Sequence, residues 1–363
     1  MNKNILCGLL LLLSGQVFSQ KYNFQTVKDI EATPVTAQEN TGTCWSFSST
    51  SFLEAEIIRA SGKKLDLSEM YNVKINYLDK ADNYVMRQGK AQFGEGGLNH
   101  DVINSAAQKG LALQSDFSGK LNPEDKYDHS KMVVELEEIL KKAVAETPLK
   151  YPNWKTDYSD VLNRYMGKSD GVKTISPKEL AATYKINLND YVTITSFTHQ
   201  PMYTQFILNI PDNYSNGFFY NVPLDEFVSN IDYAIERGFT VALDSDVSEK
   251  TFSAKNGVAV IPEKEEDTEK CITEIKPEMK ITPEFRQAEF ENYNTTDDHL
   301  MHIVGKARDQ KGNVYYKVKN SWGTKSGIDG YVYMSVPYLK LKAISVLVHK
   351  DALLPKTKEA LKL

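Results

Sequence analysis

The first half of the chain has the spacing of apolar residues that amphipathic helices require. Between residues 45 and 60 these residues recur every three or four positions, and Gly62 follows as a helix C-cap. The same spacing returns at 98–109, which Gly110 closes, and at 130–146. The pattern therefore predicts three helices in this half.

The second half changes to the two-residue alternation of β-strands. A turn at 309–313 separates two of these runs and predicts an antiparallel hairpin. Helices followed by strands indicate an α+β protein in two lobes. The charged and mostly helical stretch at about 115–190 is interpreted as an insertion. The predicted strands are 192–197, 240–243, 299–307, 314–322 and 330–336.

The N-terminal residues differ from the rest of the chain. Lys3 precedes an apolar run at 5–13, and the small residue Ser19 lies where cleavage is expected, which is the pattern of a secretory signal peptide. The run is shorter than the roughly 20 residues that span a bilayer, and no later stretch approaches that length. We therefore expect a signal peptide at 1–20 and an exported mature domain at 21–363, periplasmic or extracellular and without a membrane anchor.

The charge of the chain bears on its partners. Its 43 basic and 48 acidic residues are interspersed and give a formal net charge of −5. Binding to a phosphate backbone requires a basic patch or stripe. Nucleic acid is therefore not expected as a partner.

Cleavage of the signal peptide leaves two cysteines, Cys44 and Cys271. Each can be a packing residue, half of a disulfide, a metal ligand or a nucleophile. Exported folds that depend on disulfides normally carry several of them, and zinc sites use ligands at close, regular spacings. A disulfide or a metal site is therefore less favoured, and Cys271 is interpreted as a free thiol without a catalytic role.

Cys44 lies at the predicted start of a helix, within QENTGTCWSF. The helix dipole and the unpaired N–H groups favour a negative charge there, so we expect the pKa of this thiol to fall from about 8.5 toward or below neutrality. Gln38, six positions upstream, could donate its side-chain amide to an oxyanion together with the Cys44 N–H. This stretch therefore supplies a candidate nucleophile and two oxyanion donors.

The remaining candidates for catalysis lie on the predicted hairpin. TTDDHLMHIVG supplies His299 and His302 as possible bases. Side chains three positions apart in a strand point to opposite faces, so only one of them can face Cys44. Asn320, in VKNSWG, could accept a hydrogen bond from that histidine, and Trp322 could keep water away from the bond.

Four blocks of the chain, in this order, resemble the papain-like cysteine peptidases: QENTGTCWSF, FGEGG, DDHLMHIVG and KNSWGTKSGIDGYVYM. The resemblance implies a helical lobe and an antiparallel, barrel-like strand lobe. It selects His299 over His302, because His299 precedes Gly305 at the family's spacing. Asp298 either caps a turn or adds negative potential near a basic group of the substrate. The residues implied in catalysis are Gln38, Cys44, His299 and Asn320, and those implied in substrate binding are Gly96, Gly97, Asp298 and Trp322.

Three departures narrow the resemblance to the bleomycin hydrolase and aminopeptidase C branch. Thr41 and Glu95 stand where papain has a disulfide, and no long propeptide follows the signal peptide. The histidine block also lies much further from the cysteine block than the roughly 130 to 150 residues of ordinary papain-like chains. The branch implies a helical insertion, a hexamer, and a C-terminal arm that holds a peptide's free amino end. In this chain the arm is expected at about 351–363, with Leu363 near the substrate's N-terminus.

The resulting hypothesis is a secreted cysteine peptidase, most consistent with an aminopeptidase. It would act on peptides through a thioester acyl-enzyme and require no metal or organic cofactor. Two alternatives stay open. One is an endopeptidase with an open cleft, if the tail does not fold back, and the other is a non-catalytic exported binding protein on the same fold.

Overall fold

Helix α1 (Cys44–Ser61) lies in the interior of the molecule, and every residue from Cys44 to Ile57 is buried. The computed structural model describes residues 21–363, so the signal peptide predicted at 1–20 lies outside the described residues. Gly62 ends α1 in the left-handed conformation, at φ 69°, which glycine adopts without steric penalty. The central helix of the fold thus ends at the glycine that marks its C-cap in the sequence.

Further helices pack around α1 or against one another. They are α2 (Glu69–Met86), α3 (Asn99–Lys109), α4 (Ser130–Glu146), α5 (Trp154–Met166), α6 (Pro177–Glu179), α7 (Leu224–Glu236), α8 (Pro283–Glu291), α9 (Val336–Lys342) and α10 (Pro355–Leu361). α2 and α3 contact α1 directly, and α4 packs on both α2 and α5. These contacts make the first part of the chain a helical lobe. Among the described residues, no helix is both long and apolar enough to cross a membrane.

A mixed sheet forms the second lobe. The strands of the molecule are β1 (Gln25–Asp29), β2 (Leu111–Ala112), β3 (Thr174–Ile175), β4 (Tyr191–Thr195), β5 (Gln205–Ile207), β6 (Phe218–Asn221), β7 (Val241–Ser245), β8 (Phe252–Ser253), β9 (Val258–Ala259), β10 (His299–Arg308), β11 (Val314–Lys319), β12 (Tyr331–Ser335) and β13 (Ala343–His349). The large sheet has the order β5-β6-β4-β13-β7-β10-β11-β12-β9-β8, with β1 paired to β10, while β2 and β3 form a separate pair. β10 therefore lies near the middle of the sheet.

Helix α1 packs along β10, and side-chain hydrogen bonds fix their register. The hydroxyl of Ser48 donates to the carbonyl of Met301 at 2.6 Å, and that of Ser51 lies 2.9 Å from Nδ1 of His302. Residues three and four apart lie on one face of a helix, so Cys44, four residues before Ser48, belongs to the same face. The register therefore directs Cys44 at the beginning of β10.

Most predicted elements are present within a few residues of their expected bounds. The three predicted helices correspond to α1, α3 and α4, and the five predicted strands to β4, β7, β10, β11 and β12. β10 and β11 pair antiparallel across the turn at 309–313, which confirms the hairpin. The prediction omitted α2, α7 and the central strand β13.

The stretch interpreted as an insertion is helical in the structure. It contains α4, whose residues Met132, Leu136, Leu140 and Ala143 are buried as one stripe, and α5, which packs on that helix. The bounds of the insertion at about 115–190 stay a prediction.

The C-terminal tail begins at the end of α1 that is remote from Cys44. His349, the last residue of β13, packs on Phe239 with ring centroids 5.5 Å apart. The guanidinium of Arg59 lies 3.9 Å from the centre of the same phenyl ring. Along α1, Arg59 is separated from Cys44 by roughly 22 Å, at 1.5 Å per residue.

Helix α10 then packs against α7 on the strand lobe. The Thr357 hydroxyl donates to Oε1 of Glu226 at 2.7 Å and accepts from Nδ2 of Asn230 at 3.1 Å. Leu361 is buried in the apolar core of this lobe, and Leu363 packs against the same core. These buried contacts hold the tail on the strand lobe, and the expected role of Leu363 at the substrate's amino end stays a prediction.

We predict that Leu361→Ala lowers the free energy of unfolding by roughly 2 to 4 kcal/mol, since it removes a buried side chain. Glu359→Ala changes an exposed residue of the same helix and should alter that free energy by less than about 0.5 kcal/mol. Urea unfolding followed by circular dichroism measures both. Equal stability of the two variants would show that the tail is not part of the core.

Candidate active site

Cys44 is the first residue of α1, and only 7% of its surface is exposed. Hydrogen bonding from the backbone of Leu300 reaches its thiol. Leu300 directly follows His299, which is the first residue of β10. The packing of α1 on β10 thus brings the candidate nucleophile to the candidate base.

Burial determines the ionisation of both groups. It raises the pKa of the Cys44 thiol to about 12, although hydrogen bonding from the Leu300 and Trp45 backbones favours the thiolate. This corrects the expectation of a lowered pKa, because the loss of water around the sulfur outweighs the helix dipole. Burial also lowers the pKa of His299 to about 4, against the effect of its hydrogen bond to Asn320. Neither group is therefore charged on its own at neutral pH.

His299 is fixed by the strand that follows β10. Its Nε2 lies 2.8 Å from Oδ1 of Asn320, the residue directly after β11. The same Oδ1 accepts the N–H of Ser321 at 2.7 Å, which fixes the orientation of the amide. With Nε2 engaged by Asn320, Nδ1 is the ring nitrogen that remains for the thiol.

Trp322 covers this histidine. The two ring centroids lie 4.7 Å apart at an interplanar angle of 30°. The indole is 38% exposed, so it separates the buried imidazole from solvent. An apolar cover of this kind strengthens the hydrogen bond between His299 and Asn320.

Gln38 is held between the loop before Cys44 and the residue after Asn320. Its Nε2 donates to the carbonyl of Thr41 at 2.6 Å, and its Oε1 accepts from the hydroxyl of Ser321 at 2.6 Å. An amide nitrogen carries two N–H groups, so one is left to donate to a ligand. Ser321 was not among the predicted site residues, although it lies inside the motif that identified Asn320.

Glu95 links two loops beside Cys44. Its carboxylate accepts the N–H of Gly42 at 2.7 Å, and its carbonyl accepts the indole N–H of Trp45 at 2.8 Å. These bonds connect the segment before the nucleophile to the glycine pair, in the place where papain has a disulfide. The sequence indicated that the disulfide is absent, but it did not predict the contact between Glu95 and Gly42 that takes its place.

Gly96 and Gly97 allow close approach of other groups to the backbone. A Cβ on Gly97 would lie 3.0 Å from the Trp45 ring, and one on Gly96 would lie 2.0 Å from Oδ2 of Asp212. The two glycines therefore lie beside the first turn of α1, as their expected role in substrate binding requires. That role stays a prediction.

Two other predicted residues have structural partners. Asp298 accepts the N–H of Val247 at 2.9 Å and the hydroxyl of Ser248, so it caps the turn that follows β7. His302 contacts Ser51, two turns along α1 from Cys44. The structure thus brings Gln38, Cys44, His299, Asn320 and Trp322 together, while Leu363 packs against the core of the strand lobe.

The alternatives for the cysteines are reduced by the structure. Within residues 21–363, Cys44 and Cys271 are both free thiols, which contradicts a disulfide between them. Cys271 is buried and donates its S–H to the carbonyl of Thr268 at 3.1 Å. In the same part of the chain, no group of three His, Cys, Asp or Glu residues is arranged to hold a metal ion.

Known proteins are similar to this chain in sequence and in fold. Residues 100–363 match the Peptidase C1-like family. The chain is 23% identical to aminopeptidase E of Lactobacillus helveticus, covering 91% of this chain and 84% of that protein. It is 23% identical to aminopeptidase G of Lactobacillus delbrueckii subsp. lactis, covering 90% and 83%.

The crystal structure of PepW from Lactobacillus rhamnosis HN001 has the same fold, with a TM-score of 0.72 at 16% identity over 93% of this chain and 84% of that one. This likeness confirms the predicted two-lobe α+β fold, and the family match confirms the resemblance to papain-like peptidases. The chain belongs to the Peptidase C1-like family.

Proposed function

We propose that the protein is an exported cysteine aminopeptidase that cleaves peptide bonds through a thioester on Cys44. The observation that carries the proposal is the hydrogen bond between His299 and Asn320, at the strand end that receives the start of α1. The relatives named aminopeptidases support the exopeptidase activity. The apolar run before residue 21 supports export.

The first step is proton transfer from the Cys44 thiol to His299. Because burial disfavours either charge alone, the proton passes between the two groups so that each new charge stabilises the other. The sulfur then attacks the peptide carbonyl carbon and forms a C–S bond. The imidazolium is held in place by Asn320.

The tetrahedral intermediate carries a negative oxygen that needs donors. The free N–H of the Gln38 amide and the backbone N–H of Cys44 are suited to this role, and one such donor is worth roughly 3 to 4 kcal/mol. Ser321 and Thr41 hold the Gln38 side chain before substrate arrives. The donors are therefore preorganised.

Collapse of the intermediate breaks the C–N bond, and His299 protonates the leaving amine. The neutral imidazole then removes a proton from water, which attacks the thioester and releases the acid product. The proton returns to the sulfur. Cys44 and His299 are thereby restored without a metal ion or cofactor taking part in this scheme.

An endopeptidase is the second candidate function. It is favoured by the contacts that hold α10 on α7, since a tail held there leaves the cleft open. A single fluorogenic peptide with a free or an acetylated amino end separates the two activities. We expect cleavage of the free form, and efficient cleavage of the acetylated form would favour the endopeptidase.

We predict that Cys44→Ala lowers kcat by at least about 10³-fold, since it removes the nucleophile. Cys271→Ser replaces a thiol that is remote from the site and should retain activity. A chelator such as EDTA should have no effect, whereas iodoacetamide should inactivate the protein. Loss of activity to the chelator but not to iodoacetamide would contradict the mechanism.

We predict that Asn320→Ala lowers kcat by about 10- to 100-fold with little change in KM, because His299 loses the group that orients it. Asn320→Asp keeps an acceptor oxygen and should recover part of the activity. Steady-state kinetics of both variants test this role. Equal losses of kcat in the two variants would show that the acceptor oxygen of residue 320 does not orient His299.

A further inference from the structure

The C-terminal helix packs on α7 of the strand lobe. A different part of the chain lies beside the glycine pair. The loop that contains Asp212 follows β5, and Oδ2 of Asp212 occupies the space next to Gly96 where a side chain would otherwise lie. A carboxylate therefore faces the backbone that is expected to bind substrate.

This loop is held rigidly against the helical lobe. The Tyr214 hydroxyl donates to Oδ1 of Asn76 at 2.7 Å, and the Ser215 hydroxyl donates to Oδ1 of Asp101 at 2.7 Å. Oδ1 of Asp212 accepts the side-chain amide of Gln92 at 3.1 Å. The remaining oxygen of Asp212 is thus presented at a fixed place beside Gly96.

Two further carboxylates approach the same place from the strand lobe. Asp244 lies on β7 directly opposite Leu300 of β10, and it is 0% exposed. Asp297 lies two residues before His299. The negative charges of Asp212 and Asp297 both act on the Cys44 thiol, after the larger effect of burial, to raise its pKa.

The buried oxygens of this group have few donors. Oδ1 of Asp244 and both carboxylate oxygens of Asp297 are inaccessible to solvent and accept no well-formed hydrogen bond from residues 21–363. Asp297 interacts instead with the carboxyl group of Asp244 and with the backbone of Asp212. Burial and the charge of Asp212 raise the pKa of Asp297 to about 7. Buried carboxyl groups with so few donors are destabilising, so this group is suited to a ligand that brings N–H donors.

The nearby basic side chains do not fill this role, because they are engaged by backbone carbonyls. Lys80 donates to the carbonyls of Gly94, at 2.7 Å, and Gly96. Arg286 donates to the carbonyls of Ser196, at 2.7 Å, and Lys340, at 3.0 Å. The charge of Lys80 acts on Asp212, and that of Asp244 acts on Arg286, but both bases direct these hydrogen bonds to backbone carbonyls, so the carboxylates can accept N–H donors from a ligand.

We propose that Asp212, Asp244 and Asp297 form a receptor for a cationic group of the peptide substrate, on the Gly96 side of Cys44. The cation is either the terminal α-ammonium or the side chain of a lysine or arginine. An ammonium or guanidinium supplies several charge-assisted N–H donors, which match the unpaired oxygens. This inference rests on the proposed peptidase function and adds its substrate class.

The test uses four aminomethylcoumarin substrates: leucine and lysine amides, each with a free and with an acetylated amino end. The variants are Asp297→Asn and Asp212→Asn, which keep the shape of the side chain and remove its charge. Asp160→Asn is the matched control, since Asp160 is an exposed residue of α5. Active sites are counted with an epoxide inhibitor of cysteine peptidases, so that only folded protein enters the rates.

We expect each receptor variant to raise KM at least about tenfold for substrates that carry the recognised cation, relative to acetyl-leucine amide measured with the same variant. An effect confined to free amino ends identifies the α-ammonium, and one confined to lysine amides identifies the side chain. Asp160→Asn should match the wild type on all four substrates.

Unchanged ratios among the four substrates in both receptor variants would overturn the receptor and mark the aspartates as a structural carboxyl pair. That outcome leaves the peptidase function intact, because the wild type still cleaves. Failure of the wild type to cleave any substrate or to react with the epoxide would instead refute the proposed function itself.

Discussion

The packing of α1 on β10 is the constraint on which the rest of the site depends. The helix is buried although its first turns are rich in serine, so each hydroxyl needs a partner inside the protein. The Ser48 hydroxyl donates to the carbonyl of Met301, and the Ser51 hydroxyl forms a hydrogen bond with the His302 ring. The Ser49 hydroxyl donates to the side chain of Asn99 at 2.9 Å. A shift of the helix along the strand would break these bonds together, and their loss would leave buried polar groups unpaired. The same register that satisfies the serines places Cys44 beside the start of β10.

Burial at the contact between α1 and β10 also determines how Cys44 and His299 ionise. A solvent-exposed cysteine and histidine would ionise independently, whereas Cys44 and His299 are each driven toward the neutral form by loss of water. The two groups can then become charged only together, when one proton moves from the Cys44 thiol to His299. The strand after the hairpin contributes the orienting amide of Asn320, and the next two residues hold Gln38 and cover the imidazole. Residues 320–322 therefore orient the base, hold the oxyanion donor and provide the apolar cover.

Local patterns were sufficient for part of this picture. The helix at α1, the hairpin of β10 and β11, and the candidates Gln38, Cys44 and Asn320 follow from periodicity, spacing and residue types in the sequence. The choice of His299 over His302 came from the resemblance to papain-like peptidases. β13 was missed because it is buried on both faces and its apolar run does not alternate. The direction of the Cys44 pKa was wrong because the helix dipole is visible in the sequence but the depth of burial is not. The tail and the aspartate group depend on contacts between distant segments, such as Thr357 with Glu226, and no local pattern encodes those.

The pairing of Cys44 with His299 is tested most directly by the rate at which iodoacetamide alkylates Cys44 at pH 7, compared between the wild type and His299→Ala. Mass spectrometry identifies the labelled residue, and the buried Cys271 serves as an internal reference. A thiol whose pKa is about 12 is ionised in only about one molecule in 10⁵ at that pH, so rapid reaction requires the histidine to take the proton. We expect fast labelling of the wild type and labelling at least about 100-fold slower in His299→Ala. Equal rates in the two proteins would contradict it.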